Sequence, residues 1–158
     1  MEEGNNVSNK QVKEVILLWL SYYTPLHMLT DNPSPQIIMQ RVRNLILEYV
    51  KTVAGYKMGD MPGLMEVFCM WEDFVAHPLE FYFQQFEEPV YTLSEKMSLK
   101  EVDEAWKMWG DTVTDEMLYE NELDVLATPE WMAFSAAAAR AMAIMAKRGK
   151  LPEDHAIS

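Results

Sequence analysis

A single cysteine, Cys69, occurs among 158 residues, together with only three histidines and six glycines. One thiol closes no intrachain disulfide, so packing and polar contacts must hold the fold, and a reducing cytoplasmic compartment is expected. Scarce histidine and cysteine also limit metal chemistry. There is no HExxH, no cysteine pair and no Glu-x-x-His repeat, so no metal site is expected. Asp73 and His77 stand four apart, a metal-capable spacing, but no second His stands at ligand spacing from them. His77 then reads as a helix-end residue.

Catalytic motifs are missing as well. The chain has no glycine-rich phosphate loop, no G-x-S-x-G elbow and no paired-glycine dinucleotide fingerprint, so the expectation is a non-enzymatic protein without cofactors. Cys69 falls inside an apolar helix, and nothing in the sequence brings His27 or His77 to it as a base. A buried, inert thiol is expected there.

Long apolar runs are absent too. The longest aliphatic and aromatic run, Val15 to Leu20, is far short of the ~18 residues that span a bilayer. The start, Met1-Glu2-Glu3-Gly4-Asn5-Asn6, is the reverse of the basic opening of a secretory signal. Cations are the last shortage. Thirteen Lys and Arg face 25 Asp and Glu, for a net charge of −12 and a pI near 4.6. Phosphate backbones and anionic membranes repel such a chain, so neither direct nucleic acid binding nor membrane association is expected.

What is present is ample core material. Hydrophobic residues make up 49%, including five Trp, seven Tyr, six Phe and 13 Met, which argues for folding despite the charge. A chain of this length buries roughly 70% of the surface its unfolded form exposes. The expectation is one all-α domain over residues 1–158, a bundle of about six or seven helices. Residues 1–7 and 150–158 form peripheral tails, and at most one short extended segment lies near 89–93.

Local signals place the helices. Ser8 to Gln11 fits a capping box ahead of Val12, Val15, Ile16, Trp19 and Tyr23 at helical spacing, a deeply buried helix that stops near Pro25. Ser34-Pro35 opens a second, with Ile38, Val42, Leu45, Tyr49 and Val53 as its buried stripe and Gly55 as a left-handed cap. Leu64, Phe68, Trp71 and Val75 form a third up to His77-Pro78, and a short one restarts at Pro78. Ser98 to Glu101 is a further capping box, followed by Leu99, Val102, Trp106 and Trp109, with Gly110 as the end. On its outer face Lys100–Glu104 and Asp103–Lys107 are spaced to pair. Thr114 or Asp115 caps the next helix. Thr128-Pro129-Glu130 opens the last, an alanine-rich helix burying Trp131, Phe134, Ala138, Met142 and Met145, with Lys147 and Arg148 at its negative end before Gly149.

The charge is not spread evenly. Asp60–Asp124 holds 17 acids against Lys96, Lys100 and Lys107, a net −14, while the flanks 1–59 and 125–158 are each +1. On the helix after Thr114, Glu116, Glu120 and Asp124 stack at i, i+4 and i+8 with no base between them, which costs helix stability. Two readings follow. The stripe, supported by Glu101, Asp103 and Glu104, docks on a basic protein surface, as an inhibitor or a nucleic acid mimic does. Otherwise it is a solvated face that keeps a Met- and Trp-rich domain dispersed.

The aromatic residues of the same segment are expected mainly in the core. Tyr82 and Trp109, at the edges of their stripes, are the candidates for partner contact. The rival to a docking protein is a structural subunit or assembly factor of a homo-oligomeric or virion-like complex, with the Ala-rich helix and exposed Met and Trp as contacts.

Overall fold

The computed structural model describes residues 32–75 and 85–158. The expected helix from Ser8, the restart at Pro78, and Tyr82, His27 and His77 lie outside the described residues. Among the described residues six helices follow in order: α1 Pro35–Ala54, α2 Leu64–Phe74, α3 Leu93–Thr112, α4 Asp115–Glu120, α5 Glu122–Leu126 and α6 Pro129–Met145. The protein is all-helical, with no strand among the described residues.

Short-range chemistry starts the three long helices. The Ser34 hydroxyl accepts from the Ile37 N–H ahead of Pro35, and the Thr128 hydroxyl accepts from the Trp131 N–H ahead of Pro129, satisfying donors that have no intrahelical partner. The stretch near 89–93 is a turn leading into α3. That helix begins five residues before the expected Ser98, because Thr92 and Glu95 form an earlier capping box: the Thr92 hydroxyl accepts from the Glu95 N–H and the Glu95 carboxylate accepts from the Thr92 N–H. Ser98 instead sits one turn inside and donates to the Glu95 carbonyl.

Gly110 does not end α3, which continues to Thr112. A Cβ there would lie 3.1 Å from the Phe68 ring, so the glycine lets α2 pack closely against α3. Gly55 closes α1 with φ −102°, not in the left-handed region. Gly149, at φ 66°, does adopt that region past the end of α6.

α6 is the central element, antiparallel to both long helices. Against α1, the Ser135 hydroxyl donates to the Val53 carbonyl at one end and Arg43 reaches the Met145 carbonyl at the other. Against α3, Trp131 meets Trp109 and Arg148 meets Glu95. The buried Ala137, Ala138 and Ala141 let both neighbours approach its backbone. α2 covers the opposite side, where Trp71 stacks on Tyr49 and Phe68 on Trp106, with ring centroids 5.7 and 5.0 Å apart.

The inner face of α1 is less apolar than its periodicity implies. Leu45 points outward, whereas Gln40, Arg43 and Asn44 are buried. Buried polar groups require partners, and the C-terminal stretch supplies them. Asn44 pairs with both the N–H and the carbonyl of Leu151, Gln40 donates to the Pro152 and His155 carbonyls and accepts from the Ile157 N–H, and Arg41 donates to the Glu153 carbonyl. Residues 151–157 therefore run as a strap along α1, bound through their main chain.

Arg43, fully buried, donates to the Glu95 carboxylate at 2.6 Å and to the Met145 and Gly149 carbonyls. The last turn of α6 thus receives its cation from α1. Arg148 turns away to the Glu95 carboxylate and the Pro89 and Val90 carbonyls. One buried carboxylate, shared by two guanidinium groups, joins α1, α3 and α6.

Candidate functional site

Within Asp60–Asp124 the carboxylates divide into those the fold consumes and those it leaves in solvent. Glu95 is consumed by the two arginines. Asp103, expected on the outer face of α3, is fully buried: it accepts from Trp71 Nε1 at 3.0 Å and from Lys107 Nζ at 2.7 Å. Its position carried the signal, since Asp103 lies four residues after Leu99 and three before Trp106 on the apolar stripe. Only the Lys107 stem and its ammonium reach the surface, which a long side chain tolerates. Asp103 is a structural link between α2 and α3 and offers nothing to a partner.

Trp109 is likewise no surface anchor. It is 1% exposed and packs on Phe68, Trp131 and Phe134 with centroids 5.0 to 5.2 Å apart. The bundle closes over it because α6 lies directly across α3 at that level. Its indole N–H, like the Tyr91 hydroxyl, has no hydrogen-bond partner among the described residues. Glu101 and Glu104 are exposed as expected, but each faces a cation: Arg140 lies 3.2 Å from Glu101, and Lys100 lies 3.7 Å from Glu104.

Glu116, Glu120 and Asp124 are exposed and form no ion pair among the described residues. They do not share one continuous helix. The chain breaks at Asn121, with φ −125° and ψ 46°, so Glu116 and Glu120 belong to α4 and Asp124 to α5. Electrostatics favours the break: Asp115 and Glu116 fall in the first turn of α4, and Glu122 and Asp124 in the first turn of α5. Each pair lies beside unsatisfied N–H groups, whereas a single helix would place Asp124 near a negative end. Leu118 and Val125 bury the inner side of each short helix.

Two tertiary arrangements enlarge this acidic region. Glu122 turns inward, accepting from the Tyr56 hydroxyl at 2.6 Å and from the Gly59 N–H at 3.4 Å. The connection after α1 is thereby tied against α5. Burial and then this hydrogen bond push the Tyr56 phenol well above the ordinary tyrosine range.

A second acidic neighbourhood surrounds Cys69, which is exposed rather than buried. Partial burial, followed by the carboxylates of Asp73, Glu72 and Asp115, raises its thiol above the ordinary cysteine value. That environment opposes the thiolate and hence nucleophilic reactivity. It also shows that carboxylates from α2 and α4, about forty residues apart in sequence, share one neighbourhood.

No lysine, arginine or histidine occurs between Lys107 and Arg140, a stretch with seven acids. The described end of the bundle formed by α2, α4 and α5 is therefore a concentrated anionic surface. Among the described residues no cluster of His, Cys, Asp and Glu is arranged to hold a metal ion, and no helix is long and apolar enough to cross a membrane. No protein-family model matches the chain, and neither a curated protein nor a solved structure matches it.

Proposed function

We propose that the protein is a non-enzymatic interaction protein that docks on a basic protein surface through the carboxylates of α4 and α5. The supporting observation is the contrast between acids. Where the fold needs a carboxylate, it provides one or two cations or an indole N–H, as at Glu95 and Asp103. At Glu116, Glu120 and Asp124 it provides none among the described residues, and Glu72, Asp73 and Asp115 add charge of the same sign nearby. Like charges gathered in this way repel one another. A cationic partner relieves the repulsion and is drawn in by the field, which acts over a Debye length of about 8 Å at physiological salt.

The experiment compares the wild-type chain with a Glu116→Lys, Glu120→Lys, Asp124→Lys variant as bait at low and high salt, with bound proteins identified by mass spectrometry. Basic proteins retained by the wild type at low salt, lost at high salt and lost from the variant support the reading. Identical recovery by the two baits refutes it. A large homo-oligomer in light scattering would favour the structural-subunit alternative.

A further inference from the structure

The anionic end also carries exposed apolar side chains. Of the nine large hydrophobic residues exposed among the described residues, six lie where α1 and α3 end and α6 begins: Met58, Met61, Met108, Tyr119, Leu123 and Met132. Met61 is 83% exposed, Tyr119 73% and Leu123 64%. Glu122 fixes part of this arrangement. By holding Tyr56 and the Gly59 N–H, it sets the loop bearing Met58 and Met61 beside α5, which carries Leu123.

We infer that this end binds a basic amphipathic helix of a partner protein, its cationic face on the carboxylates and its apolar face on the methionines, Tyr119 and Leu123. The inference rests on the docking function proposed above and specifies the partner for that site. Charge complementarity selects it. Nucleic acids and anionic lipid surfaces are repelled, and a second copy of this chain brings the same excess of negative charge. A partner recognised by charge alone would leave the apolar side chains in water. A helix with segregated cationic and apolar faces meets both features at once. Unbranched, polarizable methionine side chains suit such a contact because they re-pack around differently shaped apolar residues.

The test titrates the full chain with three labelled synthetic peptides, following fluorescence anisotropy and peptide helicity. The first contains Leu and Lys with leucine at the i, i+3, i+4, i+7 positions of a helix; the second has the same composition in scrambled order; the third replaces Lys by Glu. The first is expected to bind about tenfold or more tighter than the scrambled peptide, gaining helicity, and the Glu peptide not to bind. A Met58→Gln, Met61→Gln, Leu123→Gln variant, altered only at exposed positions, is expected to lose about tenfold in affinity for the first peptide, with an unchanged circular dichroism spectrum. Equal binding of the patterned and scrambled peptides, or an unaffected variant, overturns the amphipathic-helix inference while leaving docking on basic surfaces intact. Failure of both Lys peptides to bind overturns both.

Discussion

Replacing Glu95 by glutamine should destabilise the protein far more than its single charge suggests. The wild-type carboxylate accepts from Arg43 Nη2 at 2.6 Å, Arg43 Nε at 3.3 Å, Arg148 Nη1 at 3.1 Å and the Thr92 N–H at 3.0 Å. Glutamine retains the last of these, because its side-chain oxygen can still complete the capping box. What it removes is the one carboxylate paired with Arg43 among the described residues, a guanidinium with no exposed surface. An uncompensated buried charge costs about 3–5 kcal/mol. For a domain of this size each ~1 kcal/mol lowers Tm by ~2–4 °C, so the loss should be roughly 6–20 °C.

Urea unfolding followed by circular dichroism gives the free energy directly, and the exposed Glu101→Gln, which breaks only the surface pair with Arg140, serves as the control at under ~1 kcal/mol. Combining Arg43→Met with Glu95→Leu removes both buried charges and should recover much of the loss. If Glu95→Gln costs no more than Glu101→Gln, the network is not what joins α1, α3 and α6.

Asn44→Ala removes both hydrogen bonds to Leu151; faster amide exchange at Leu151 and Ile157, with α3 amides unchanged, is expected, and uniform acceleration would refute a separately bound strap. Gly110→Val should cost ~1–3 kcal/mol in urea unfolding through overpacking against Phe68; a stability gain would show that α2 yields easily. Alkaline titration offers a third check. Burial pushes the phenols of Tyr49 and Tyr91 upward, and burial with the Glu122 hydrogen bond does so for Tyr56. Their folded values exceed the unfolded value near ~10, so the stability they contribute is fully present below that pH and is lost as pH rises above it. Ultraviolet absorbance should then show these three ionising together with unfolding; ionisation in the folded protein would contradict the burial.

The helix class, the caps at Ser34 and Thr128, a glycine beyond the last helix at Gly149 and the excess of acid between Asp60 and Asp124 were legible in the sequence. Each depends on groups within a few residues: a hydroxyl three positions from an N–H, a proline at a first turn, a glycine at positive φ, a sum of charges. Local order was ambiguous where two signals competed. Thr92 and Ser98 both precede an acid by three, and the start fell at the one whose acid, Glu95, also finds arginines.

Tertiary structure decided which partners the inward-turned polar residues meet. Arg43 meets Glu95 across 52 residues and Gln40 meets Ile157 across 117, separations that no periodicity encodes. The spacing of Asp103 between Leu99 and Trp106 hinted at burial, but only the fold put Trp71 opposite it as a partner. The fold also separated the acids it consumes from those left in solvent, and gathered Glu72, Asp73 and Asp115 around Cys69. A carboxylate's role depends on what faces it, and in this bundle what faces it comes from another helix.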